Sequence, residues 1–68
     1  MSIGEIIIKL RKEKKMTQTE LATAAGIKQP YLGQIERGTK TPTLPTAKAI
    51  AAVLGVTPND LCGIKSAK

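Results

Sequence analysis

At 68 residues the chain has room for one domain, and with one cysteine and no histidine it can form neither an intrachain disulfide nor a closed zinc site. Eleven Lys and Arg against five Asp and Glu give a net charge of +6, which favours a polyanion, either nucleic acid or an acidic membrane surface, over an unpartnered basic domain. No apolar run approaches the ~20 residues of a membrane span, and the N-terminal charges follow the short apolar stretch instead of preceding it, so the expectation is a cytoplasmic protein with a reduced thiol and no signal peptide.

Ile3, Ile6, Ile7 and Leu10 recur at helical spacing among charged residues and predict a first helix over 3–14. Ile8 lies off that stripe and either covers a neighbouring element or belongs to an interface. Thr17 followed by Glu20 is a T-x-x-E capping box, which opens a second helix over 18–25. Gly26 stops it, because a left-handed residue after a helix is least strained as glycine. Ile27 turns inward and Lys28 stands at the next N-cap. A third helix runs over 29–37, with Pro30 tolerated in a first turn that has no use for its missing N–H. Gly38 ends it, and residues 37–43 read as a loop. Thr43 caps a fourth helix over 44–54 whose Leu44, Ala47, Ile50, Ala51 and Leu54 share one face. Gly55 stops that helix, Thr57 caps again, and Pro58 opens a last helix near 58–62. Nothing alternates as a strand does. The expected fold is all-α: five short helices in one domain over 1–64, then a polar tail at 65–68.

The second and third helices, joined at Gly26, form a helix-turn-helix, the unit that sets its second helix in the DNA major groove. At about 100° per residue, Leu32 and Ile35 point to one side of the third helix with Tyr31 at their edge. Gln29, Gly33 and Arg37 point the other way, flanked by Pro30 and Gln34. Amides and guanidinium groups suit base edges, Gln with adenine and Arg with guanine. Gly33, lacking a side chain, would let the helix approach closely. The plainer alternative is a solvated face on which Gly33 costs about 1 kcal/mol against Ala.

The whole run MTQTELATAAGIKQPYLGQIERG resembles the Cro/phage-repressor helix-turn-helix family, also called the xenobiotic-response-element type. The likeness spans Ile3 to Leu61. It rests on (S/T)-Q-x-E-L-A at 17–22, A-G-(I/V) at 25–27, Y-(L/I)-x-x-I-E-R-G at 31–38, P-(S/T)-L at 42–44 and L-G-V-(S/T) at 54–57. Each motif is weak alone; together at this spacing they are specific.

The resemblance implies a lambda-repressor-like domain that binds double-stranded DNA. It places Gln18 at the phosphate backbone, where a helix N-terminus presents free N–H groups. It assigns base reading to Lys28, Gln29, Gly33 and Gln34, with Arg37 reaching base or phosphate. Lys28 departs from the usual Ser or Thr cap and caps poorly. Pro30 also departs, since it has no side-chain donor. Tyr31 either packs at the core edge or also sends its hydroxyl to a phosphate. Thr39, Lys40 and Thr41 would offer N–H, hydroxyl and ammonium groups to phosphate oxygens. Arg11 and Glu36 match a family ion pair that ties the third helix to the first. Lys9, Lys12, Lys14 and Lys15 are more simply solvated cations.

Phage-type repressors pair across two half-sites. The expected homodimer surface comprises Ile8, Val53, Leu61, Cys62 and Ile64, apolar groups that a monomer would leave uncovered. Cys62 is then a packing residue. The function implied is a small transcriptional regulator, in first place a repressor acting as a homodimer on an inverted repeat. It needs no cofactor and no metal, and no membrane is implied. The alternative is an antitoxin or anti-regulator of the same fold that grips an unknown protein partner. An enzyme is not expected: there is no histidine, no paired carboxylates at catalytic spacing, no phosphate loop and no base near Cys62.

Overall fold

Local side-chain chemistry sets where each helix begins. The computed structural model describes residues 2–62, with the side chain of Cys62 outside that description. Five helices follow one another: α1 (Ile3–Glu13), α2 (Gln18–Ala25), α3 (Gln29–Arg37), α4 (Leu44–Leu54) and α5 (Pro58–Cys62). At α2 the Glu20 N–H donates to Thr17 Oγ1 at 3.0 Å, and the Thr17 N–H donates to Glu20 Oε1 at 2.8 Å. Each bond satisfies an amide that the helix cannot. The same reciprocal pair joins Ser2 and Glu5 at α1. Apolar spacing alone predicts that start; S-x-x-E at 2–5 is a further signal for it. Thr43 caps α4 through Thr46, and Thr57 and Asp60 cap each other at α5. Lys28 makes no side-chain cap bond, so α3 starts without one. The predicted bounds hold for α2, α3, α4 and α5, while Lys14 is the cap residue of α1 and not its last turn.

The core is made by Ile7, Leu21, Leu32, Ile35, Ile50 and Leu61, all fully buried, with Ala22, Ala47, Ala51 and Leu54 between them. α3 packs against α1 and α2, α4 against α2 and α5, and α5 also against α1. Each fully buried Leu or Ile contributes roughly 1.5–3 kcal/mol against exposure, and the short chain depends on these few residues.

Two expectations about apolar residues are corrected. Leu61 was expected at an uncovered surface, but it is 0% exposed, because α5 folds back onto α1 and α4 within the chain. Leu44 was expected on the buried face of α4, yet it is 64% exposed. It shares the helical stripe but stands at the first position of α4. Ile64 lies outside the described residues. Ile8 is half-buried and is the one α1 isoleucine not packed against the core, whereas Val53 does pack there.

α1 and α3 meet unusually closely. A Cβ on Gly4 would lie 2.5 Å from the carbonyl oxygens of both Ile35 and Glu36. Only glycine fits there, since the obstacle is backbone and not a movable side chain. The contact fixes the C-terminal turn of α3 against the N-terminal turn of α1.

Candidate nucleic-acid interface

The inward face of α3 carries one charge. Glu36 lies on the α1 side, where Arg11 Nε donates to its Oε2 at 2.9 Å and Arg11 Nη2 donates to its Oε1 at 3.2 Å. The two side chains are 13% and 4% exposed, so this is the buried, two-pronged pairing that a guanidinium favours. Arg11 Nη1 also donates to the Met16 carbonyl at 3.0 Å, which ties down the turn before α2. That turn holds Lys15 with φ at 57°, a left-handed conformation uncommon outside glycine. The ion pair implied by the resemblance is therefore present, and it orients α3 about its own axis.

With Glu36 turned in, the outer side of α3 carries no acid. Lys28, Gln29, Pro30 and Arg37 are exposed, and Gln34 is half-buried. Gly26, at φ 76°, makes the tight left-handed turn that ends α2 ahead of α3. Tyr31 is half-buried and packs against the core.

Gly33 is not open surface. It is buried, and a Cβ there would lie 3.4 Å from Arg37 Nη1 and 3.5 and 3.6 Å from the amide atoms of Gln18. The position through which α3 was to approach closely is therefore lined by two side chains, Gln18 of α2 and Arg37, with room left for a methyl group. Gln18 in turn bridges the two sides of α3. Its Nε2 donates to Glu36 Oε1 at 2.9 Å, and its Oε1 accepts from Gln29 Nε2. A polar chain thus runs Arg11–Glu36–Gln18–Gln29, from the buried ion pair to the exposed face. Neither apolar periodicity nor charge spacing shows it, because its members lie on three helices.

The loop after α3 also differs from expectation. Thr39 donates both its N–H and its hydroxyl to the Gln34 carbonyl, at 3.0 and 3.1 Å, and the Lys40 N–H donates there at 3.3 Å. These donors close the helix and are not free for phosphate. The Lys40 ammonium and Thr41 remain exposed. Among the described residues, no three His, Cys, Asp or Glu side chains gather where a metal ion could be held, and no helix is long and apolar enough to cross a membrane.

Comparison with known proteins agrees with this geometry. A family model described as Helix-turn-helix matches residues 7–61. The immunity repressor protein of Bacillus phage phi105 is 40% identical over 63 residues, covering 93% of this chain and 44% of the repressor. The regulator SinR of Bacillus subtilis is 40% identical over 60 residues, covering 87% of this chain and 54% of SinR. The chain thus spans about half the length of these two relatives. Among solved structures, SinR in complex with DNA matches with a TM-score of 0.83 at 40% identity, covering 87% of this chain and 95% of that one. The P22 c2 repressor in complex with a synthetic operator matches with a TM-score of 0.86 at 28% identity, covering 90% and 92%. With the family model spanning most of the sequence, the five-helix fold shared and the Arg11–Glu36 pair in place, the chain belongs to the Cro/phage-repressor helix-turn-helix family of DNA-binding transcriptional regulators.

Proposed function

We propose that this chain is a sequence-specific double-stranded DNA-binding module of a transcriptional repressor, working as a homodimer on an inverted repeat. The observation that carries this reading is the two-sided character of α3. Its inner side is locked by Glu36 and core residues, while its outer side presents Lys28, Gln29 and Arg37 with no acid among them. Such a face can lie against a polyanion without repulsion and still offer donor–acceptor pairs to base edges. The phage and SinR relatives, named as repressor and regulator, support the same reading.

In this reading α3 enters the major groove and Gln29, Gln34 and Lys28 face the bases, with Arg37 at base or phosphate. Gly33 lies beneath Gln18 and Arg37 and offers no side chain of its own. The N-terminus of α2 at Gln18 approaches a phosphate, where its unpaired N–H groups favour negative charge. Lys40 and Thr41, with the Tyr31 hydroxyl, follow the adjoining backbone; Thr39 shapes that loop. Ile8 and Val53 are the described residues left to a two-fold interface, which Cys62 and Ile64 would extend.

The test is to compare base preferences of single alanine variants on duplex DNA. Gln29→Ala and Gln34→Ala should each lose ~1–3 kcal/mol at one base pair and little elsewhere. Lys40→Ala should weaken all sites alike and lower the salt dependence by about one counterion. A uniform loss for Gln29→Ala and Gln34→Ala would sink the assignment of base reading to α3.

A further inference from the structure

We propose that Pro30 reads the 5-methyl group of a pyrimidine, thymine or 5-methylcytosine, in the major groove. The proposal rests on the reading that α3 meets the bases, and it deepens that reading. Pro30 is the second residue of α3 and is exposed. At about 100° per residue it lies about 20° from Arg37, about 40° from Gln34 and roughly 170° from the midline between the fully buried Leu32 and Ile35. The ring thus stands at the crest of the outer face, nearer to it than either glutamine. Gly33, three positions on, has no side chain to cover the ring. The missing N–H costs nothing at this place, because the first-turn amides of a helix have no partner within it. Pro45 holds the same second place in α4, and Pro58 opens α5. Starting a helix therefore accounts for a proline at 30, but not for an apolar ring at the crest of a face that is otherwise polar.

The ring has neither donor nor acceptor. Pressed against a base edge that needs a hydrogen bond, it would displace water and return nothing, which is unfavourable. In the major groove guanine shows two acceptors, adenine an acceptor and a donor, and cytosine a donor. Thymine adds to its O4 acceptor a C5-methyl group, the one apolar feature among the four bases. 5-Methylcytosine carries the same group at the same ring carbon. A pyrrolidine ring set against that methyl group takes apolar surface of both partners out of water. Around the ring Lys28, Gln29, Gln34 and Arg37 carry the donors and acceptors, and Pro30 supplies the apolar contact. Removing the ring or removing the methyl group should then forfeit the same increment, and the two losses should not add, which is the mark of a direct contact.

The experiment takes a duplex selected by the wild-type protein and replaces each thymine singly by uracil, which removes the methyl group and keeps the base pair. At one position in each half-site affinity should fall about fourfold, the worth of one methyl-sized apolar group taken out of water. In a second arm that position holds cytosine or 5-methylcytosine, and the methylated base should bind more tightly by a similar factor. The first arm tests thymine as the source of the methyl group and the second 5-methylcytosine; a response in either that depends on Pro30 supports the proposal. In Pro30→Ser the methyl ratios should fall to near one, while base preferences elsewhere are kept. Pro45→Ser removes the matching proline from α4 and should leave the ratios at their wild-type values, which separates methyl reading from the loss of a helix-start proline. Pro30→Gln replaces Pro30→Ser should that variant not fold, and its ratios should fall in the same way. If neither arm responds, or if the ratios survive in Pro30→Ser, methyl reading by Pro30 is overturned and base reading by α3 stands. If selection by the wild-type protein yields no preferred base pair, both are overturned.

Discussion

Gly4 and Gly33 both place a residue that helices disfavour inside a helix, α1 in one case and α3 in the other. Around Gly4 the obstacle to a side chain is backbone, two carbonyl oxygens at 2.5 Å from where a Cβ would sit. Around Gly33 the nearest atoms are the ends of two flexible side chains, at 3.4 to 3.6 Å. The fold therefore requires the first glycine and only tolerates the second. The Gly4 contact fixes α3 to the body of the domain. The Gly33 site lies where Gln18 and Arg37 converge, on the face proposed to meet DNA.

Three substitutions bear on this contrast, taken from the largest effect to the smallest. Glu36→Ala removes the partner of a buried guanidinium on the fixed side of α3, and breaking such a pair costs about 3–5 kcal/mol. In a domain of this size that should lower Tm by more than ~10 °C, read by circular dichroism melting. Gly4→Ala should cost about 1–3 kcal/mol by the same measurement, since α1 and α3 must move apart to admit the methyl group. An unchanged melting temperature for Gly4→Ala would mean that the two helices are not held as closely as described. Gly33→Ala has the opposite sign. Alanine is better in a helix than glycine by about 1 kcal/mol, and its methyl would meet ordinary van der Waals neighbours, so the protein should become more stable. Gln18 and Arg37 can stay in place beside the added methyl group, so DNA affinity should change little. Loss of stability in Gly33→Ala would remove the distinction between the two glycines.

The same contrast explains what the sequence shows by itself. Helix limits were legible because they are local: Thr17 with Glu20, Thr43, and the glycines at 26, 38 and 55 act within a few residues. The core stripes of α1 and α3 were legible for the same reason. Leu61 and Leu44 were not, since exposure depends on which helices pack over a residue and not on its local spacing. Gly4 could not be singled out, because the carbonyls that exclude a side chain lie some thirty positions along the chain, at Ile35 and Glu36. Arg11 and Glu36 are 25 residues apart and were placed together only through the family resemblance. At the candidate interface, residue types show the outer face of α3, but not the two side chains that line Gly33. Thr39 offers the right groups for phosphate, and only the structure shows its donors spent on Gln34. Which groups are free is a question of partners, and partners at long range leave no mark in local spacing.

The central claim is that this chain recognises a duplex sequence through the outer face of α3. Its most direct test is selection of wild-type protein on random duplex DNA at ~0.15 M salt, followed by sequencing of what is retained. The account predicts enrichment of an inverted repeat with half-site centres about 10 base pairs apart. Salt-sensitive retention with no enriched motif would contradict it, and would assign the binding to net positive charge alone.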